Sequence, residues 1–310
     1  MRIVAEHLSY TYNPNTPFAA AALKDVSLCI EEGEFFGIIG HTGSGKSTFI
    51  QHLNGLIRLP SSMKKYRERK PKRGEQLLPR PTLRVGSYDL SEKTTDFRAL
   101  RKSVGMVFQY PEHQLFGETV KEDVAFGLKN FAEKGKELSK EVETSAVREA
   151  IEAVGLNYGE VAEKSPFDLS GGQKRRVAIA GVIVSRPEIL VLDEPAAGLD
   201  PLGKKEIMEL LHRLHKTWCK TVIIVSHDMD EIAENCTMSA LFAEGTVKYC
   251  LSPRELFQKA EELFALGLDI PLVAKLCRAL DERGIHIDCD YTAADFVKKI
   301  LALKRGEGRA

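Results

Sequence analysis

Gly40-His41-Thr42-Gly43-Ser44-Gly45-Lys46-Ser47 constrains this chain more than any other stretch. Before it stands Phe35-Phe36-Gly37-Ile38-Ile39, a short apolar run that reads as a buried strand. After it, Thr48-Phe49-Ile50-Gln51-His52-Leu53 has helical spacing. Strand, glycine turn and helix in immediate succession, with the spacing G-x-x-x-x-G-K-S, make a P-loop. The glycines let the backbone curl with its N–H groups turned inward. Those dipoles and the helix N-terminus form a cradle for phosphate oxygens. Lys46 adds a mobile positive charge for the outer phosphates and Ser47 a hydroxyl for Mg2+. A chance glycine-rich turn would lack the flanking elements.

The chain has 310 residues, enough for one large domain and a smaller one. Lys+Arg and Asp+Glu both number 44, so the net charge is zero and no nucleic-acid partner is expected. The longest apolar runs, at 177–184 and 222–225, fall short of the roughly 20 residues a membrane span needs. The N-terminus lacks the apolar core of a signal peptide. A cytoplasmic protein is expected, with any membrane association made through a partner or the surface. Cys29, Cys219, Cys236, Cys250, Cys277 and Cys289 form no C-x-x-C pair, which favours reduced structural thiols over zinc or disulfides.

Residues 2–12 and 23–30 read as antiparallel strands ahead of the P-loop strand. Residues 58–84 change character: Lys64, Lys65, Arg67, Arg69, Lys70, Lys72, Arg73, Arg80 and Arg84 face only Glu68 and Glu75. A solvated mobile loop is the reading, ahead of a patch for anionic lipid or RNA. Residues 104–108 form a buried strand ending at Gln109, and 120–161 are helical, interrupted at Lys134-Gly135-Lys136. Apolar strands at 189–192 and 221–225 end in Asp193-Glu194-Pro195 and Ser226-His227-Asp228. Between them, 204–214 is an amphipathic helix. A hairpin around Glu244-Gly245 closes the main domain. Apolar strands alternating with helices argue a mostly parallel sheet covered on both faces. After Cys250 the pattern is helical. Ser252-Pro253-Arg254-Glu255 is a capping box, Leu256, Phe257, Ala260, Leu263 and Phe264 share a face, and further helices start at Pro271 and Thr292. Residues 304–310 read as a disordered tail.

Ligands of open α/β sheets gather at the carboxyl ends of strands. The P-loop, Gln109, Asp193 and His227 each follow a strand end, so one sheet brings them to one edge. In a triphosphate hydrolysis site Lys46 and the 43–47 amides clamp the phosphates. Ser47 holds Mg2+ with Gln109 and Asp193 in its shell, Glu194 polarises the attacking water, and His227 contacts the γ-phosphate. Leu169-Ser170-Gly171-Gly172-Gln173 opens another helix and is a second anion-binding helix start, made of a hydroxyl, two glycine amides and a dipole.

Leu-Ser-Gly-Gly-Gln is the signature of the ATP-binding cassette (ABC) ATPases, and the chain resembles that family over nearly its whole length. The resemblance implies a P-loop NTPase fold of the α/β class. Its parts are a RecA-like parallel sheet, an antiparallel β subdomain and a helical subdomain at about 115–170, here with a basic insert at about 60–83. Residues 1–250 would be the ABC ATPase domain, followed by a small, mainly helical C-terminal domain at 251–303 with a possible dimer contact. ATP would contact Gly40, His41, Thr42, Gly43, Ser44, Gly45, Lys46, Ser47 and Thr48. Tyr12 matches the aromatic residue that stacks on adenine, with Tyr10 as the fallback. Gln109 matches the Q-loop, Ala197-Gly198-Leu199-Asp200 the D-loop and His227 the switch histidine. Two such domains pair head to tail, so the Ser170, Gly171, Gly172 and Gln173 of one and the P-loop of the other sandwich each ATP.

A narrower match rests on Gln109-Tyr110-Pro111-Glu112-His113-Gln114-Leu115-Phe116, on Gly40-His41-Thr42-Gly43 and on Gly267-Leu268-Asp269-Ile270-Pro271. These resemble the energy-coupling factor transporter ATP-binding proteins, and the Thr42 form resembles the second of the two paralogous ATPases. The resemblance implies a peripheral motor on the cytoplasmic face of the cell membrane, driving uptake of a vitamin or transition-metal ion. It would pair with a paralogous ATPase and dock its 109–116 groove on a transmembrane coupling subunit, which works with a substrate-binding membrane subunit. The insert is longer than usual in such chains, and Ala196 stands where threonine or serine is common, yet no catalytic group is missing. The alternative is a soluble cassette ATPase acting on nucleic acid or the ribosome. Such proteins carry a long coiled-coil insert or tandem cassettes, and this chain has no sustained heptads. Glu194 and His227 argue against a non-hydrolysing regulatory subunit.

Overall fold

The computed structural model describes residues 1–59, 81–131 and 139–305. Along the chain stand β1 (Ile3–Tyr12), β2 (Ala20–Ile30), β3 (Phe35–Ile39), α1 (Lys46–Leu53), β4 (Thr82–Val85), β5 (Tyr88–Asp89), α2 (Phe97–Ser103) and β6 (Val104–Val107). A helical stretch follows: α3 (Val120–Lys129), α4 (Lys140–Ala153) and the single turn α5 (Tyr158–Val161). The chain then runs through α6 (Gly171–Ile183), β7 (Ile189–Asp193), α7 (Pro201–Thr217), β8 (Thr221–Val225), α8 (Met229–Asn235), β9 (Met238–Ala243) and β10 (Thr246–Leu251). It ends in α9 (Pro253–Phe257), α10 (Ala260–Ala265), α11 (Leu272–Asp281) and α12 (Ala293–Arg305).

Two sheets form. The larger has the order β10-β9-β3-β8-β7-β6, parallel from β9 to β6, and the smaller has the order β2-β1-β4-β5 and is antiparallel. In the larger sheet the period-two side-chain alternation feeds two cores at once. Phe35, Ile39, Leu190, Leu192, Val222 and Ile224 enter the core shared with α3, α4, α6, α7 and α8. Their neighbours Phe36, Ile38, Ile189, Val191, Ile223 and Val225 enter the core shared with the smaller sheet and α1. Burial on both faces is why the interiors of these strands lack polar positions and read as continuous apolar runs. The strands β3, β6, β7 and β8 run parallel, so their carboxyl ends share one edge.

Local chemistry sets the helix starts. Thr119 and Glu122 form a reciprocal capping box on α3, Ser170 and Gln173 another on α6, and Ser252 and Glu255 a third on α9 with Pro253 in the first turn. Glu244 and Gly245 both take positive φ, 53° and 83°, as a tight hairpin between β9 and β10 requires.

The structure departs from the sequence reading in three places. The basic stretch does not stay a loop to residue 84. Its end is β4, paired with β1, because Leu83 and Val85 point into the core while Arg84 between them points out. The face at 256–264 is split between α9 and α10, and Phe264 is left exposed. Helix α12 continues through Lys304 to Arg305. The remaining basic residues from Lys64 to Arg80, the Lys134-Gly135-Lys136 interruption and the tail from 306 to 310 lie outside the described residues.

The C-terminal helices differ from one another in their packing. Leu256, Phe257, Leu263, Leu268 and Ile270 join the core on the helical face of the large sheet. Val273, Cys277, Ile287 and Cys289 make a small core of their own. All six cysteines are free thiols. Among the described residues no helix is long and apolar enough to cross a membrane.

Candidate functional site

A cavity of about 720 Å³ opens at the carboxyl edge of the large sheet. It is lined by Tyr12, Gly40, His41, Thr42, Gly43, Gly45, Lys46, Ser47, Thr48, Gln109, Asp193, Glu194 and His227. Sequence reasoning named every one of these. Such a volume suits a small-molecule site. Ala22, Met229, Gly267, Leu268 and Asp269 complete the wall, and sequence reasoning did not place them there.

The P-loop links the end of β3 to the start of α1. Its glycines answer to steric demands inside the chain. At Gly40, with φ +144°, an added Cβ would lie 2.1 Å from the Phe242 carbonyl oxygen. At Gly45, with φ +104°, it would lie 2.6 Å from the Ala22 carbonyl oxygen. Neither position admits a side chain. The Lys46 side chain is folded back into the loop, where Nζ donates to the carbonyls of Gly40 and His41 at 2.6 and 2.8 Å. Burial pulls the Lys46 amine below its usual pKa, against the nearby charges of Glu194 and Asp193. Ser44 is buried rather than on the wall, and its Oγ has no hydrogen-bond partner. A buried hydroxyl left so beside inward N–H groups fits an anion still to arrive.

Ser47 Oγ donates to Asp193 Oδ2 at 3.1 Å, bridging the loop to the end of β7. Burial raises the Asp193 carboxyl pKa, opposed by that hydroxyl and reinforced by the neighbouring Glu194 charge. The donor set is a hydroxyl, the Gln109 amide oxygen and a carboxylate. It suits a hard oxygen-seeking cation that keeps water and phosphate oxygens in its shell. Among the described residues no group of three or more His, Cys, Asp and Glu offers an all-protein metal cage. Mg2+ fits this pattern.

Glu194 takes φ 53°, in the left-handed region, just after the strand, and its N–H donates to Val225 at the end of β8. His227 Nδ1 donates to Glu194 Oε2 at 2.5 Å. Two of the three residues read as catalytic, the third being Lys46, are thus in direct contact. Tyr12 lines the cavity and its hydroxyl is 3.1 Å from Thr48 Oγ1, while Tyr10 packs edge-on against the Tyr12 ring and does not line the cavity.

The signature residues Ser170, Gly171, Gly172 and Gln173 do not line this cavity, and neither does Asp200. They sit at the N-termini of α6 and α7. Ser170 Oγ and the Gln173 side chain are engaged with each other's backbone N–H at 3.3 and 3.0 Å. Asp200 caps α7 through the Gly203 N–H.

Arg175, one turn into α6, was missed by sequence reasoning. Its guanidinium is almost wholly buried and forks onto both Glu112 carboxyl oxygens at 2.8 and 3.0 Å. It also donates to the carbonyls of Pro195 and Ala197, just past Glu194. One side chain therefore ties the segment after Gln109 to the segment after Glu194. Burial opposes ionisation of Glu112, but the Arg175 fork outweighs it and holds the carboxyl below its usual range.

Residues 23–197 match the family model described as ABC transporter. The chain is 44% identical over 307 residues to the energy-coupling factor transporter ATP-binding protein EcfA2 of Caldanaerobacter subterraneus subsp. tengcongensis, covering 99% of both chains. It is 46% identical to the EcfA2 of Symbiobacterium thermophilum, covering 100% of both. Among solved structures, cbiO1 of Clostridium perfringens, described as part of the ABC transporter complex cbiONQ, superposes with TM-score 0.69 at 34% identity, over 89% of this chain and 98% of that one. The ATP-binding cassette MJ0796, in a dimeric post-hydrolysis state bound to ADP and Pi, superposes with TM-score 0.65 at 27% identity, over 81% of this chain and 99% of that one. With such a site on such a fold, matched end to end, the chain belongs to the ABC transporter family and, within it, to the energy-coupling factor transporter ATP-binding proteins.

Proposed function

We propose that this chain is the ATP-binding and ATP-hydrolysing motor subunit of an energy-coupling factor importer for a vitamin or a transition-metal ion. One observation carries the chemistry: a single cavity gathers the P-loop, Gln109, Asp193, Glu194 and His227. The reaction is transfer of the terminal phosphoryl group of ATP to water, with the bond to the ADP oxygen broken and a new bond formed to the water oxygen. The P-loop amides and Lys46 hold the phosphates, and Tyr12 stacks on the adenine. Ser47, Gln109 and Asp193 would hold Mg2+, which would supply positive charge against the phosphates. Glu194 takes up the proton of the attacking water as it forms its bond. His227, fixed by its bond to Glu194, orients that water and contacts the γ-phosphate.

The same reading makes the site half of a composite. Among the described residues a Cβ at Gly171 or Gly172 would meet nothing within 4 Å, so none of them requires glycine there. Close approach by a ligand held on a second subunit supplies the reason. The paralogous ATPase is that subunit, paired head to tail, with Asp200 and the exposed Val297 and Leu301 of the 251–303 unit at the contact. The groove near 109–116, where Phe116 and Phe126 stand exposed and edge to face at 4.8 Å, receives the transmembrane coupling subunit, which works beside a substrate-binding membrane subunit. This seats the chain on the cytoplasmic face of the membrane as a peripheral subunit.

The test is Glu194→Gln in the complex purified from membranes. ATP binding should persist while turnover falls by roughly 10²–10⁴-fold, the range for losing a general base. Wild-type turnover in that variant would sink the assignment. Mass spectrometry of the same preparation identifies the partners.

A further inference from the structure

The last part of the chain reaches back into the nucleotide cavity. Gly267, Leu268 and Asp269 line it beside the P-loop. The segment that carries them is pinned at both ends. At one end a hydrogen bond joins Nε2 of His41 to the Leu266 carbonyl. Gly267 has φ +69°, and a Cβ there would sit 3.1 Å from that same nitrogen, so the backbone packs directly on the imidazole. At the other end the Leu272 N–H donates to Asp230 Oδ1 at 2.7 Å. Asp230 lies in the first turn of α8, three residues after His227. Between the pins Leu268 and Ile270 are buried in the main core. The Ala293 N–H at the start of α12 also bonds to α8, at Glu234 Oε1, 2.6 Å away.

We infer that residues 266–272 form a strap that couples nucleotide binding at the P-loop to the C-terminal helices, with His41 as the positioning residue at its P-loop end. The inference rests on the nucleotide-site reading above and names a part of that site which lies far along the chain. The strap acts through one more bond. The His41 carbonyl is one of the two acceptors of Lys46 Nζ, at 2.8 Å. Fixing the His41 ring from the strap side fixes the carbonyl that holds the lysine, and so keeps the loop shaped for its ligand. Coupling of this kind is reciprocal: nucleotide on the P-loop must tighten the strap by as much as the strap tightens nucleotide.

The test uses the full chain and a fluorescent ATP analogue, MANT-ATP with Mg2+, in equilibrium titrations. His41→Ala and Gly267→Ala should each weaken binding by roughly three- to tenfold, the equivalent of one hydrogen bond. The double variant should be no weaker than the weaker single, because the added methyl no longer meets a ring. His41→Gln, whose amide donates to the same carbonyl, should recover part of the affinity lost in His41→Ala. Hydrogen exchange provides the second readout. MgATP should slow exchange at 266–272 and at the first turn of α12 in wild type but not in His41→Ala. Additive losses, a His41→Gln variant as weak as His41→Ala, or protection that survives in His41→Ala would overturn the strap. If the wild-type chain fails to bind the probe, the nucleotide-site reading itself falls. Should Gly267→Ala not fold, the His41 pair and the exchange data decide alone.

Discussion

At the P-loop, a Cβ on Gly40 would strike a carbonyl oxygen at 2.1 Å; at the start of α6, one on Gly171 or Gly172 would meet nothing within 4 Å among the described residues. Gly40, Gly43 and Gly45 all take positive φ, whereas the two glycines of the signature helix do not. Both stretches are glycine-bearing helix starts, yet the constraint has a different origin. The P-loop glycines are demanded by the chain's own backbone. Among the described residues nothing demands the signature glycines, which is what the proposed site completed by a partner expects.

Four substitutions break or sharpen that contrast. The largest effect is expected from Gly40→Ala, which sets a methyl into a carbonyl at a strained φ. It should cost about 5 kcal/mol of stability in urea unfolding and abolish nucleotide binding by the isolated chain. A folded, nucleotide-binding Gly40→Ala protein would erase the difference between the two regions. Next is Arg175→Ala, which tests what fastens the signature helix if glycine does not. Removing the guanidinium leaves the partly buried Glu112 unpaired and the Pro195 and Ala197 carbonyls without their donor, and should cost about 3 kcal/mol. A loss below about 1 kcal/mol would mean α6 is held by its apolar face alone. Gly172→Ala should leave melting temperature and the nucleotide affinity of the isolated chain nearly unchanged while lowering turnover of the assembled complex by about 100-fold. Equal damage to the isolated chain would place the constraint back inside it.

The smallest effect concerns the P-loop side. Burial raises the Asp193 carboxyl pKa, so its charge costs stability at neutral pH in the nucleotide-free chain. Asp193→Asn should stabilise that state by less than about 1 kcal/mol while impairing hydrolysis. The sign follows from the raised folded-state value: the gain is complete above it and fades as pH falls toward the unfolded value of 3.8. Urea unfolding over a pH series reads it directly.

Much of the nucleotide edge was legible because it depends on local pattern. Strands buried on both faces must be apolar through their interiors, and their ends are marked by the first polar residues, which here are Gln109, Asp193 and Ser226, next to His227. The P-loop and signature are contiguous, so spacing alone reveals them. What stayed hidden depends on distant parts of the backbone meeting. Glu112 and Arg175 look like ordinary surface charges 63 positions apart. Leu266 reaches His41 across 225 positions, and nothing in Gly267-Leu268-Asp269 announces that destination. Strand β4 was lost for another reason: four residues at the end of a basic stretch are too few for alternation to outweigh composition.

The packing of Leu256, Phe257, Leu263 and Ile270 into the core of the large sheet has a consequence for the order in which the chain matures. The P-loop is made early in synthesis, but the layer covering its sheet is not complete until about residue 270 has left the ribosome. Chains emerge at roughly 5–20 residues per second, so the loop waits roughly 10–45 seconds in an unfinished fold. A nascent or truncated chain ending near residue 250 would carry every ATP-binding motif and still expose apolar surface on the helical face. Quality control can therefore read the integrity of the C-terminus as a proxy for a usable motor.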